Sequence, residues 1–311
     1  MIEFMKYGSL TNHYRQKEIG YWLDNYPSLK DEVFEVTEKI HGANFQVLIT
    51  KDDIKYGKRS SFLSEGESFF DYQNVMKKYE EDFEKFRQYI IKYSIDSIRL
   101  FGELFGGKIQ KGVDYGQEKH FKLFNIYLDD ILQSPQHVGD IFTIANVSED
   151  LHVPKLKHVV GIFEALEYDT KFNSLISNKE DNICEGVVVK PYRSIYENNG
   201  SIFYIKKKNE EFKEKSKEQK SSTPINDNLL KLQIEFSAYI NENRLDSVVS
   251  KEGDIESEKQ IGLYIKLLME DAKEDFIKDF GDQLQHLDKK DLKYLYGKGN
   301  KLSVDLLKAR L

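Results

Sequence analysis

Lys39 stands in Glu38-Lys39-Ile40-His41-Gly42, flanked by segments in which apolar and polar residues alternate. A lysine amine attacks an electrophile only after losing its proton. An ordinary lysine titrates near pH ~10.4, so neutrality at pH 7 costs about 4–5 kcal/mol. Neighbouring cations and partial burial reduce that cost. Further ionisable and aromatic residues follow in order. Arg59 lies in Gly-Lys-Arg-Ser-Ser and Glu103 in Arg-Leu-Phe-Gly-Glu-Leu-Phe. Phe124 lies in Lys-Leu-Phe-Asn-Ile-Tyr and Glu185 in Cys-Glu-Gly-Val-Val-Val-Lys-Pro, while Lys206 and Lys208 lie in Tyr-Ile-Lys-Lys-Lys-Asn. Charges inside apolar strand patterns are costly unless paired or used. Singly, Glu103 and Glu185 fit a structural salt bridge as well as a catalytic role, and a lysine before a turn glycine is commonly a surface residue. The ordered set is more specific than any member.

The elements that must hold these residues can be read from periodicity. Residues 32–50 read as two short strands around a turn marked by Gly42 and Asn44. Residues 68–94 read as helical, with Phe69, Tyr72, Val75, Met76, Tyr79, Phe83 and Phe86 on one face. Residues 97–105, 121–128, 183–190 and 201–206 read as strands. Lys213–Asp227 is polar, contains Pro224, and reads as a linker. Residues 228–311 carry a helical pattern, first from Leu229 to Ile240, then from Ile261 to Met269, then in short helices to the end.

Composition excludes several classes. A net charge of −7 is incompatible with a globally basic nucleic-acid binder but permits a local basic face. The single cysteine, Cys184, forms no intramolecular disulfide and suits a reducing interior. No apolar run approaches the ~18 residues of a membrane span, and the N-terminus lacks a signal peptide's apolar core; a cytoplasmic protein is expected. Gly102 to Lys108 has P-loop spacing, but Ile109 follows where Ser or Thr would bind Mg²⁺. The histidines show no metal-ligand spacing, and His41 reads as a turn residue packing near Lys39. The run Lys206–Lys220 mixes seven lysines with four glutamates. That mixture fits a solvated face as well as RNA-backbone contact by Lys213, Lys215 and Lys217.

The series resembles the motifs of the covalent nucleotidyltransferases, which comprise DNA ligases, RNA ligases and messenger-RNA capping enzymes. Within that superfamily it is most similar to the phage-type RNA ligase 2 family, which includes the trypanosome RNA-editing ligases. The resemblance rests on the opening Lys6-Tyr7-Gly8-Ser9-Leu10-Thr11-Asn12-His13-Tyr14 and on Glu38 to Phe45. It also rests on Phe101-Gly102-Glu103 and on Ile109-Gln110-Lys111-Gly112-Val113-Asp114-Tyr115. It implies an α+β fold: an antiparallel-sheet nucleotidyltransferase (ATP-grasp-like ligase) domain over residues 1–222, then a small all-helical domain over 223–311. It implies that Lys39 attacks the α-phosphate of ATP, with Lys206 and Lys208 neutralising that phosphate. Glu185 would stand beside Mg²⁺ or Mn²⁺, since carboxylate oxygen suits a hard cation. Glu103 would accept from a ribose hydroxyl, Phe124 would stack on adenine, and Arg59 and Asn44 would hold phosphate. Atoms around Glu38 and Ile40 would touch the adenine edge.

The implied cycle adenylylates Lys39, moves AMP to a 5′-phosphate RNA end, and joins that end to a 3′-hydroxyl with release of AMP. The expected partners are ATP and RNA ends, nicks in duplex RNA in particular, and the expected state is a monomer. A DNA ligase or an RNA-capping guanylyltransferase of the same superfamily is the alternative. His41 stands where those enzymes usually carry Asp, and the helical pattern stands where they carry a β-barrel. A non-catalytic nucleic-acid-binding module is the reading from another class, and it leaves the joint presence of Lys39, Glu103, Glu185, Lys206 and Lys208 without a reason. Arg244, in Asn-Glu-Asn-Arg-Leu, aligns with a functional arginine and is expected to contact RNA. The acidic positions downstream are not clearly reproduced: Leu267 aligns where an acid is expected, with Glu270 and Asp271 nearby.

Overall fold

The structure is a computed structural model that describes residues 2–193, 202–212, 228–255 and 257–310. The expected linker, the boundary at 222/223, and Lys213, Lys215 and Lys217 lie outside the described residues. The chain separates into two compact units, Met1–Glu211 and Phe212–Leu311.

The first unit runs β1 (Thr11–Asn12), α1 (Gln16–Asn25), β2 (Val33–Glu38), β3 (Ala43–Thr50), β4 (Ile54–Lys58), α2 (Tyr72–Lys77), α3 (Glu80–Lys92), β5 (Ser97–Gly106) and β6 (Lys119–Leu128). It continues through β7 (Ile131–Leu132), α4 (Pro135–Ala145), β8 (Lys155–Val160), α5 (Ile162–Glu167), β9 (Gly186–Pro191) and β10 (Ile205–Lys208). The strands form two five-stranded sheets, ordered β1-β10-β9-β2-β8 and β4-β3-β5-β6-β7. All pairings are antiparallel except β1 with β10.

Each sheet buries one face under helices, as alternation requires. Phe45, Val47, Ile49, Ile98, Leu100, Phe121 and Leu123 pack against Val75 and Met76 of α2, Phe83, Phe86 and Ile90 of α3, and Ile141 and Phe142 of α4. Phe34, Val36, Val187, Val189 and Ile205 pack against Ile19 and Trp22 of α1 and Ile162 and Ala165 of α5. Burying each such side chain contributes about 1.5–3 kcal/mol relative to exposure. The opposite faces carry Asn44, Glu103 and Phe124 from one sheet and Lys190, Lys206 and Lys208 from the other.

Residues 32–50 contain the two expected strands, but these do not pair with each other. β2 pairs with β8 and β9, while β3 pairs with β4 and β5. Lys39–Gly42 is therefore a crossing between sheets, and Asn44 lies within β3 rather than in a turn. The helical stretch 68–94 is broken at Lys78–Tyr79 into α2 and α3.

The second unit is helical among its described residues: α6 (Asn228–Ala238), α7 (Glu242–Glu252), α8 (Ile261–Leu284) and α9 (Lys289–Arg310). The expected short C-terminal helices are instead two long ones, of 24 and 22 residues. Phe236, Leu268, Phe276, Leu295 and Leu307 form their shared core. Among the described residues, no helix is long and apolar enough to cross a membrane.

Candidate active site

Lys39 follows the last residue of β2, where the chain leaves one sheet for the other. Two hydrogen bonds fix that crossing. The Lys39 amide donates to the Gly186 carbonyl at 2.9 Å, and the His41 amide donates to the Tyr115 hydroxyl at 3.0 Å. Gly42 completes it because a Cβ there would lie 2.1 Å from the Leu104 carbonyl oxygen. Gly186 has φ +149°, and a Cβ there would meet the Lys207 carbonyl oxygen at 2.0 Å. That close approach brings β9 against β10 at the level of Lys208.

The centre of the arrangement is Glu185, 2% exposed. Lys39 Nζ lies 2.7 Å from its Oε2, and Lys208 Nζ lies 2.9 Å from its Oε1. His41 Nδ1 lies 3.2 Å from Oε2, while His41 Nε2 is 2.7 Å from the Lys111 carbonyl oxygen. Burial alone would raise the Glu185 pKa, but Lys208, Lys39 and His41 outweigh it and hold the carboxyl well below its usual range. Lys206 shares the face of β10 that carries Lys208, as i and i+2 strand positions do. Lys207 points the other way and donates to the Leu166 and Tyr168 carbonyls at 2.8 and 2.7 Å.

Glu103 approaches from the other sheet and behaves oppositely. Burial, reinforced by the Glu185 charge, pushes its pKa up to about 7, against the lowering influence of Lys39, Arg59 and a hydrogen bond from the Gly42 backbone. Asn44 is its directly opposed cross-strand neighbour, so the two share a face. The buried Oδ1 of Asn44 has no hydrogen-bond partner. Arg59, just past β4, reaches Ser9 Oγ at 3.4 Å and is partly buried.

Beside these charges lies an apolar cluster. Ile40, Phe105 and Val153 are buried, with Tyr115, Phe124 and Ile176 packed against them. Phe124 is backed by Tyr7, with ring centroids 5.0 Å apart. Ile40 and Phe124 thus belong to one cluster. The Glu38 carboxylate is not part of this cluster. It accepts from Ser174 Oγ at 2.5 Å and from the Leu175 amide at 2.8 Å, and burial raises its pKa. Glu38 thereby anchors the loop that delivers Ile176.

Three features escape a reading by residue type alone. His41 is not mere turn packing, since its ring bridges Glu185 to the 111 backbone. Lys190 is 2% exposed; burial pushes its pKa down to about 8, with Glu35 opposing and Lys155 assisting. It donates to the Phe124 carbonyl at 2.5 Å and sits 5.9 Å from the Phe124 ring centroid. Its signal was the period of two in Val187-Val188-Val189-Lys190, which places Lys190 on the polar face. Third, Tyr7, which packs on Phe124, donates to Asn125 Oδ1 at 3.0 Å, and Asn125 Nδ2 donates to the Tyr204 hydroxyl at 3.1 Å.

Arg244 belongs to the helical unit, at the start of α7, where Asn241 caps the helix by accepting from the Arg244 amide at 3.0 Å. It is 1% exposed. Nη1 donates to the Asp271 carbonyl at 2.9 Å and its carboxylate at 2.5 Å, and Nη2 donates to Asp275 at 3.0 Å. This corrects the expected RNA contact: the guanidinium is an interior strut between α7 and α8. It also corrects the search for its acidic partners. Asp271 lies one helical turn beyond Leu267, and Asp275 one turn further.

Among the described residues, no group of three His, Cys, Asp or Glu side chains is placed to hold a metal ion. Glu185 and Glu103 are the carboxylates at hand. Mg²⁺ keeps several waters and typically takes one or two carboxylates together with substrate phosphate, and this donor set fits an ion that arrives with a nucleotide.

Comparison with known proteins gives two family matches: RNA ligase over residues 32–208, and T4 RNA ligase 2 C-terminal over residues 223–301. The mitochondrial RNA-editing ligase 2 of Trypanosoma brucei brucei is 34% identical over 77 residues, which is 23% of this chain and 18% of that protein. A Naegleria gruberi RNA ligase in its apo form is similar, with 20% identity and a TM-score of 0.49, covering 68% of this chain and 58% of that one. The same organism's RNA ligase with ATP and Mn gives 21% identity and a TM-score of 0.48, over the same shares. The matches thus span less than two thirds of these relatives' own lengths. With the first match covering more than half of its residues, the chain belongs to the RNA ligase family.

Proposed function

We propose that this chain is an ATP-dependent RNA ligase that seals 3′-hydroxyl and 5′-phosphate RNA ends, nicks in duplex RNA in particular, through a lysyl-AMP intermediate on Lys39. The observation that carries the reading is the convergence of Lys39, Lys208 and His41 on the buried Glu185 carboxylate, beside the apolar cluster that contains Ile40 and Phe124. A purine fits between apolar walls and an aromatic face. The cations beside it suit a triphosphate, and the unpartnered Asn44 Oδ1 leaves its amide free to orient towards ligand.

In the first step the neutral Lys39 amine attacks the α-phosphorus of ATP. An N–P bond forms as the amine nitrogen releases one proton to solvent, the bridging P–O bond breaks, and pyrophosphate leaves with its electron pair. Lys206 and Lys208 neutralise charge growing on the phosphate. Arg59 and Asn44 hold phosphate oxygens, and Glu103 accepts from the ribose. In the second step an oxygen of an RNA 5′-phosphate attacks the same phosphorus, and the N–P bond breaks as Lys39 regains a proton. In the third step a 3′-hydroxyl attacks the 5′-phosphate, losing its proton, and AMP departs. Dividing one difficult displacement this way gives each step a good leaving group. Glu185 would hold Mg²⁺ or Mn²⁺, which would add positive charge at the phosphates. The chain is proposed to act as a monomer in the cytoplasm, in keeping with its single buried cysteine.

The test is sealing of a nicked duplex whose 3′-hydroxyl strand ends in either RNA or DNA, with ATP and magnesium. A clear preference for the ribose terminus is expected. Equal sealing of both would return the assignment to a DNA ligase, and sealing of neither would overturn the ligase reading.

A further inference from the structure

The helical unit divides its charge unevenly. α8 carries six acidic residues against three lysines, and α9 carries seven basic residues against two aspartates. The α8 lysines Lys266 and Lys278 pair with Glu270 and Glu274 on their own helix. On α9, Arg310 pairs with Asp246. Lys290, Lys293, Lys298, Lys301 and Lys308 are all exposed, and none has an ion-pair partner among the described residues.

These lysines are not scattered. Lys290, Lys301 and Lys308 are separated by 11 and 7 residues, close to three and two helical turns. They therefore project from one line along the helix, spanning about 27 Å. Lys293 flanks that line, and Tyr294, 49% exposed, lies on the same side. The buried side of α9 is opposite, at Leu295, Gly299, Ser303 and Leu307. Five like charges repel one another, which weakens the helix unless a counter-charge is met.

A second observation concerns the backbone. Gly299 is explained by packing, since a Cβ there would lie 2.5 Å from Phe236. Gly297, on the lysine side, has open space where its Cβ would stand. An exposed helical glycine costs about 1 kcal/mol relative to alanine. No contact among the described residues repays it, and its absence of a side chain lets a ligand approach the helix closely.

We infer that the outer face of α9, formed by Lys290, Lys293, Lys301 and Lys308 around Gly297, is a docking surface for the phosphodiester backbone of the RNA substrate. The inference rests on the ligase reading for the identity of its ligand. Regularly spaced ammonium groups suit sequence-independent contact with phosphates. The overall charge of −7 makes such a strip the more selective, because the chain as a whole is acidic.

The test uses the full chain and a fluorescent nicked RNA duplex, with affinity measured across a range of salt. The triple variant Lys290→Gln, Lys301→Gln, Lys308→Gln should flatten the slope of log affinity against log salt by about 2–3, and weaken low-salt binding by about tenfold or more. Asp305→Lys should move both quantities the other way. The pair Lys266→Gln, Lys278→Gln on α8 controls for general charge. An unchanged slope in the triple variant, an equal loss in the α8 control, or a strip that binds acidic lipid vesicles but not RNA would each overturn the inference. Adenylylation of the parent chain by ATP without RNA is measured separately. Its failure would remove the ligase reading and leave the salt comparison standing.

Discussion

Glu103 and Glu185 are both set among apolar strand residues, yet their surroundings drive them in opposite directions. Burial raises Glu103 to about 7, whereas Lys208, Lys39 and His41 overcome burial at Glu185 and lower it. The signs matter for stability. Glu185, depressed in the fold, stabilises at pH above its ordinary value, and that stabilisation is lost as the pH falls below it. Glu103, raised in the fold, contributes a penalty absent below about pH 4.5, which grows until about pH 7 and is constant above. Glu103→Gln is therefore expected to be neutral near pH 4.5 and to stabilise by about 1–3 kcal/mol at pH 8. The same variant should raise the KM for ATP in adenylylation. Urea unfolding at the two pH values checks the first statement; a gain equal at both would contradict it. Of the residues in this site, Glu103 and Glu185 stand out because charge inside an apolar pattern is conspicuous, whereas Lys39 and Lys208 stand out only through the resemblance of their motifs. His41 and Lys190 do not stand out, because a turn histidine and a lysine closing a valine strand reveal their partners only in three dimensions.

At the scale of elements, the crossing Lys39–Gly42 sets where the amine can stand. Gly42→Ala should force the Leu104 carbonyl away, costing about 1–3 kcal/mol of stability. Adduct formation with ATP should fall by more than that loss accounts for, since the displaced segment carries Lys39. Gly20→Ala, with open space around its Cβ, is the control. A thermal midpoint unchanged in Gly42→Ala would contradict the close contact. The strands β5 and β6 were readable because their apolar runs are long and bounded. The pairing of β2 with β9 was not, since a glycine between two alternating segments looks the same for a hairpin and for a crossing between sheets. The sequence predicts short helices where α8 and α9 are long, because Gly281, Gly297 and Gly299 interrupt the pattern. Burial of Leu268, Phe276, Leu295 and Leu307 outweighs the glycine cost.

At the scale of the whole molecule, two units with separate cores divide the proposed work. The unit Met1–Glu211 holds every residue placed around Glu185, together with two sheet cores of its own. Truncation after Glu211 is therefore expected to leave adduct formation with ATP measurable while sealing of nicked RNA falls at least tenfold, about 1.4 kcal/mol or more. A truncated chain that seals as well as the full one would assign the helical unit no part in the reaction. The most direct measurement is intact mass spectrometry of the full chain after incubation with ATP and magnesium, followed by peptide mapping. The account predicts a single covalent adenylate on Lys39, absent with GTP and absent in both Lys39→Ala and Lys39→Arg, because a guanidinium does not become a neutral nucleophile. No adduct, or an adenylate that persists in either variant, would contradict it.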